Sequence, residues 1–286
     1  MAPPEIPDVT WATDTLPEQP AVIVAFGGWN DAGDSATQAL SFLQQRTNAT
    51  PLARIDAENF FDFTTARPNV VLATDGERGL EWPETEFSSG VLPGSDRPVV
   101  FVRGIEPQLR WRTFCDRFVR VSKTFDASLV VTLGALLADV PHTRPVEVYG
   151  SADDADVAGF LGLSPSSYEG PTGIIGVVNH ISRMNGLRSA SLWASVPSYV
   201  PGAGSPKAAL ALVERLRMLL EFSLSTTELE IAAAAYERQV SELVDDDEDT
   251  AEYVAELEEH YDSGEPEESA ELLVEEVERF LRDQRD

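Results

Sequence analysis

The chain is poor in thiol and imidazole, with one cysteine and three histidines among 286 residues. A single thiol, Cys115, excludes an intramolecular disulfide, and one Cys with three scattered His offers no zinc-ligand spacing. No metal and no cofactor are expected. Cationic residues are also scarce, with 21 Lys and Arg against 49 Asp and Glu, a net charge of −28. Such a surface repels phosphate backbones and anionic headgroups, which argues against nucleic acid and membranes as partners. No apolar run approaches the roughly 20 residues needed to cross a bilayer, and Met1-Ala2-Pro3-Pro4-Glu5 lacks the basic and apolar regions of a signal peptide. A cytoplasmic location is the expectation.

A hydrophobic content of 43% is enough for a full core. Residues 1–19 hold four prolines and no periodic pattern, and read as an N-terminal arm lying on the surface or on a neighbouring subunit. From Pro20, short apolar runs alternate with helical stripes. Ala21–Phe26, Leu52–Ile55, Val70–Ala73, Pro98–Val102, Leu129–Leu133, Val146–Tyr149 and Ala190–Val196 read as strands. Helices are expected over 35–45, 108–123, 154–161, 174–184 and 205–222, the last opened by Ser205-Pro206, and the stripe of the second puts Cys115 in the core. This alternation predicts an α/β main domain over 20–224, a three-layer α/β/α sandwich around a largely parallel sheet.

The character changes at Ser225-Thr226-Thr227-Glu228, where two overlapping S/T-x-x-E boxes predict a helix start. Residues 225–286 read as an acidic helical subdomain of three helices, the third carrying Leu273, Val277, Phe280 and Leu281. From Glu228 to Asp286 there are 23 acidic and 4 basic residues, a net −19 that is most of the chain's charge. A solvated helical face explains such a run, and a docking tail for a basic partner is the functional alternative.

Three turns carry the candidate chemistry: Gly27–Asp34, Gly134–Pro145 and Tyr168–Gly173. The first two directly follow apolar strands, and loops at the carboxyl ends of parallel strands build the binding crevice of an α/β fold. Gly27-Gly28 before a helix suggests a phosphate cradle, but G-x-G-x-x-G and the Walker lysine are missing. Asp31 and Asp34 stand where a phosphate would sit and are placed to cap the helix instead. Trp29, Asn30 and Asp31 are candidate crevice residues. Asp139 and His142 are the best acid/base pair in the chain, with Arg144 beside them, yet no G-x-S-x-G elbow supplies a nucleophile. Hydrogen bonds within the loop and to an oligomer neighbour explain the same three residues. Glu169 and Thr172 offer a carboxylate and a hydroxyl at the start of the helix at 174, where a capping turn is the alternative. No catalytic residue is assigned.

Taken in order, Phe26–Asp34, Arg54-Ile55-Asp56, Gly104-Ile105-Glu106-Pro107, Arg110-Trp111-Arg112, Gly134–Pro145 and Tyr168–Gly176 closely resemble the proteasome assembly chaperone 2 family in its actinobacterial branch. The match runs from about Pro20 through the acidic tail. The resemblance implies a sandwich similar to nucleoside phosphorylase and hydrolase folds, a C-terminal helical extension, and self-association, taken as a trimer. It further implies a chaperone-like or protein-interaction role, with proteasome subunits or another protein as partner. Some family members dock through a C-terminal hydrophobic-Tyr-X tail, and the ending Arg282-Asp283-Gln284-Arg285-Asp286 departs from that pattern. The competing expectation is a small-molecule-binding protein or hydrolase-like enzyme that uses the crevice formed by the eight candidate residues.

Overall fold

A computed structural model describes residues 2–72, 76–152, 154–166, 168–200 and 202–263. The strands are β1 (Val9–Trp11), β2 (Ala21–Gly27), β3 (Thr50–Ile55), β4 (Asn69–Leu72), β5 (Arg78–Glu81), β6 (Thr85–Val91), β7 (Pro98–Ile105), β8 (Leu129–Ala138), β9 (Val148–Ser151) and β10 (Ser189–Pro197). The helices are α1 (Ser35–Arg46), α2 (Trp111–Thr124), α3 (Ala155–Leu161), α4 (Ile174–Met184), α5 (Pro206–Leu220), α6 (Thr227–Asp245) and α7 (Glu248–Ser263). Eight strands form one sheet in the order β1-β3-β6-β7-β2-β8-β10-β9, while β4 and β5 pair as a separate ribbon. The four central strands β7, β2, β8 and β10 are parallel, β3 shares their direction, and β1, β6 and β9 run against it.

β2 shows why a continuous apolar run marks the centre of such a sheet. Its side chains alternate between two cores: Ile23 and Ala25 face α1 and α5, whereas Val22, Val24 and Phe26 face α2 and α4. β7 divides in the same way, with Val99 and Phe101 on one side and Val100 and Val102 on the other. The result is the three-layer α/β/α sandwich. A third, smaller cluster joins Tyr236, Val240 and Val244 of α6 to Val254 of α7, over Tyr199, Val200 and Ala203 of the loop after β10.

Several local expectations are met and others are revised. Ser205 caps α5, its Oγ accepting from the Ala208 N–H at 3.3 Å, with Pro206 in the first turn. The capping boxes at the start of α6 are not formed: Thr226 is the cap residue, without a side-chain cap bond, and its hydroxyl donates to Glu230 Oε1 at 2.7 Å. The strand expected at 146–149 begins at Val148 and pairs antiparallel with β10. β1, β5 and β6 had no counterpart in the sequence reading. β1 lies within the proline-rich first residues, where it pairs antiparallel with β3, and Ile6 just before it is buried. The expected third C-terminal helix, with Leu273 to Leu281, lies outside the described residues.

Candidate functional site

The turn after β2 is built from the chain's own hydrogen bonds. Gly33 adopts φ 59°, and a Cβ there would lie 3.0 Å from the Ala203 carbonyl and from Ser205, so a side chain is excluded twice. Asp31 is buried, and its Oδ1 accepts from the Ala36 N–H at 2.6 Å while its Oδ2 accepts from the Thr37 hydroxyl at 2.5 Å. Burial raises its pKa above the usual carboxylate value against the pull of those donors. Asp31 therefore caps α1. Asp34, the other expected cap, makes no side-chain cap bond and sits in the left-handed region at φ 51°.

Asn30 is where the three turns meet. Its backbone carbonyl accepts from the Ala135 N–H at 2.9 Å, which ties the first turn to β8. Its side chain packs on Gly173, where any Cβ would collide with the carboxamide. Its Nδ2 donates to Glu106 Oε1 at 2.9 Å, and the same oxygen accepts from the Ile174 N–H, the first of α4, at 2.7 Å. The anion site at this helix start is thus filled by a carboxylate of the chain itself. Sequence reasoning assigned that place to Glu169 and Thr172, both of which are exposed. Glu106 was missed as a participant, although a glutamate at the carboxyl end of a buried strand was the available signal. Trp29 is 42% exposed, and Ile105 at the end of β7 and Leu109 beyond it are exposed as well.

The second turn serves a different purpose. His142 is buried, and its backbone N–H donates to Tyr199 Oη at 2.7 Å. The same hydroxyl lies 2.8 Å from Nδ1, and Nε2 faces Ser241 Oγ at 2.9 Å, so both ring nitrogens have a hydrogen-bond partner. Ser241 in turn donates to the Glu237 carbonyl at 3.0 Å. The Asp139 carboxylate accepts from the Ser198 hydroxyl at 2.6 Å. Lys207 Nζ bridges the His142 carbonyl and Glu237 Oε2, each at 2.5 Å. Arg144 grips Asp262 with Nε at 2.8 Å and Nη2 at 2.6 Å, and Thr143 donates to Glu258. Among the described residues, then, Trp29, Asn30 and Asp31 form one group and His142 and Arg144 another under α6 and α7, while Glu169 and Thr172 lie on the surface.

Space is short beneath this loop. The cavity lined by His142, Ser195, Lys207, Tyr236 and Tyr261 has a volume of about 10 Å³, room for about one water rather than a metabolite. A groove of about 740 Å³ lies instead over β3, β6 and β7 beside α1, and none of the candidate residues lines it. Across its floor Arg54, Glu86 and Arg103 stand in register. Cys115 is fully buried and its thiol is pushed up to about 12 by desolvation, which removes it as a nucleophile at neutral pH. Arg110 of the Arg-Trp-Arg triplet donates to Asn59 Oδ1 at 2.8 Å. Among the described residues no group of three or more His, Cys, Asp or Glu is placed to hold a metal ion, and no helix is long and apolar enough to cross a membrane.

The imidazole gives a pH signature. Burial, helped by the Lys207 ammonium, holds the His142 pKa below its ordinary 6.5, against Glu237, Glu258 and Asp245. The folded state therefore binds this proton less readily than the unfolded chain. The contribution is fully present above about pH 6.5 and is lost as the pH falls towards the folded-state value. Melting curves from about pH 8 to about pH 5 should show the wild type losing more stability on acidification than His142→Gln, which keeps a donor and an acceptor but cannot charge. Parallel pH profiles would remove His142 from the account.

A model of the PAC2 family matches residues 25–244. Among solved structures, a PAC2 family protein from Streptomyces avermitilis is 43% identical, with a TM-score of 0.77 over 82% of this chain and 99% of that one. A proteasome-assembly chaperone homologue from Mycobacterium tuberculosis is likewise 43% identical, with a TM-score of 0.74 over 82% and 99% of the two chains. PbaB, an archaeal proteasome activator from Pyrococcus furiosus, shares the fold at 16% identity, with a TM-score of 0.66 over 82% of this chain and 97% of its own. No curated protein matches the chain.

Proposed function

Because the chain belongs to the PAC2 family, we propose that it is a non-enzymatic, protein-binding chaperone of the proteasome-assembly type, acting in the cytoplasm as a homo-oligomer, a trimer in our reading. The observation that carries this is the inward use of its polar residues. Asn30, Asp31 and Glu106 hold the turns together, and His142, Arg144 and Lys207 hold α6 and α7. Little polar chemistry of the three turns is left facing a crevice, and a family member of closely similar sequence is a proteasome-assembly chaperone homologue. The outward features at the carboxyl ends of β2 and β7 are Trp29, Ile105 and Leu109, large apolar side chains suited to a protein surface. The candidate residues of the three turns serve, in this reading, as the frame of that surface rather than as reacting groups.

The test is reconstitution. Mixed with the α and β subunits of an actinobacterial proteasome core particle, the chain is expected to co-migrate with α subunits or their assembly intermediates on native gels and to change the rate at which core particles form. Trp29→Glu should weaken that complex about tenfold or more without moving the melting temperature, since a half-exposed side chain contributes little to folding. No complex and an unchanged assembly rate would defeat the reading. Sedimentation of the chain alone as a monomer would defeat the oligomer.

A further inference from the structure

The groove of about 740 Å³ lies where the helical layer on one side of the sheet stops short. The core beneath α1 takes Val99 and Phe101 of β7 and no residue of β1, β3 or β6. Beyond β7 that sheet face is polar. Residues directly opposite in antiparallel strands share a face, so Arg54, Glu86 and Arg103 stand side by side across β3, β6 and β7. The flank of α1 and the turn after it form the wall, with Gln45 and Asn48 exposed along it.

The charges on this floor are settled among themselves. Arg54 Nη1 lies 3.4 Å from Glu84 Oε2 and Arg103 Nη2 lies 3.4 Å from Glu86 Oε2, so two cations and two carboxylates sum to zero within a chain of net −28. Each pair engages one nitrogen and one oxygen, which leaves further N–H groups and lone pairs on the same planar side chains. The carboxamides of Gln45 and Asn48 have no hydrogen-bond partner among the described residues. A phosphate calls for guanidinium groups without carboxylates beside them. A metal ion calls for a cluster of acidic or imidazole ligands, and none of three or more is placed among the described residues. A peptide finds neither of its usual holds, because the floor is a sheet face rather than an edge and its largest apolar side chain, Phe87, is only 1% exposed.

We propose that this groove binds a neutral, polyhydroxylated ligand of about disaccharide size. Each hydroxyl both donates and accepts, so adjacent hydroxyls can take N–H groups from Arg54, Arg103 or a carboxamide and donate to Glu86 without opening either ion pair. The volume falls within the roughly 300–1,000 Å³ of small-molecule sites. The assignment goes beyond the protein-binding reading and does not depend on it, since Trp29, Ile105 and Leu109 line no part of the groove.

Saturation-transfer NMR on the full chain tests it, with maltose, cellobiose and sucrose as probes and glycine, inorganic phosphate and a Gly-Ser hexapeptide as controls. At least one disaccharide should bind saturably with a Kd of about 1 mM or tighter, and the controls should not. Raising salt from about 50 mM to about 500 mM should leave that affinity within about twofold, because no net charge is being matched. Arg54→Ala should weaken binding about tenfold, the loss of hydrogen bonds from a charged donor. Gln45→Ala, which places the best helix former at an exposed position and so keeps the fold, should weaken it about fivefold and decides the matter if the arginine variant melts early. Absence of saturable binding by all three sugars up to about 20 mM overturns the proposal. So does sugar binding that survives both variants, a several-fold loss of affinity with salt, or binding of a control in place of the sugars.

Discussion

Truncating Phe114 to alanine is expected to cost about 4 kcal/mol of folding stability, within the range found for buried aromatic-to-alanine changes. Phe114 lies on the buried face of α2 with no exposed surface. Its ring meets the edges or faces of two others: Phe26 at 5.8 Å and 67°, and Phe60 at 5.5 Å and 74°. Removal therefore leaves a cavity walled by a strand, a helix and the segment after β3, three elements that cannot all close in. Two edge-to-face pairs vanish with it, each contributing about 0.5–1.5 kcal/mol beyond area. Phe160 is the matched control, since it is 73% exposed and lies beneath the Arg188 guanidinium. Phe160→Ala should stay within about 0.5 kcal/mol of the wild type. Urea unfolding of both variants decides the matter, and similar midpoints would refute the placement of α2 on β2.

Glu106→Ala should cost about 3 kcal/mol, more than its partly exposed position suggests. One carboxylate oxygen serves two donors, the Asn30 carboxamide and the first N–H of α4. Hydrogen bonds to a charged acceptor contribute about 1.5–3 kcal/mol each, and the helix dipole adds to the second. Without Glu106 the buried Asn30 Nδ2 loses this acceptor, beside an Oδ1 that is already without a partner. Glu106→Gln preserves an accepting oxygen and removes only the charge, so a loss of about 1 kcal/mol is expected. Chemical denaturation of the three proteins should order them as wild type, Gln, Ala. A glutamine variant as damaged as the alanine one would mean that charge, and not the shared oxygen, joins the turns.

The central strands and most helices were legible because each carries a strong period. Ala21–Phe26 and Pro98–Val102 are apolar on both faces, and Phe114, Cys115, Phe118 and Val119 fall on one side of α2. β6 was hidden because one of its faces is open: Thr85 and Phe87 are buried, while Glu86 and the serines between β3 and β7 are polar, so its seven residues resemble a loop. β1 is three residues among prolines, and β5 is exposed throughout. The site was legible as a place and less so as a set of bonds. Asp31 was read as a cap and is one, because an Asp shortly before a helix has few better uses. Glu106 and the α7 carboxylates were not tied to their partners, since pairings such as Asn30 with Glu106 and Arg144 with Asp262 depend on tertiary approach and leave no periodic trace.

The place of β2 in the sheet also governs the order in which the protein can be completed. Both of its neighbours, β7 and β8, follow it far along the chain. During synthesis the run Ala-Val-Ile-Val-Ala-Phe leaves the ribosome long before either edge that will satisfy its backbone exists. β6 and β7, joined by a short turn, can pair as soon as they emerge, whereas β2 must wait for β8 to complete its slot. This enclosed strand is thus made early and, of the strands in the sheet, waits through the longest stretch of chain for its second neighbour. A protein of a chaperone family carries, in its own central strand, the kind of exposed apolar segment that makes a nascent chain dependent on chaperones.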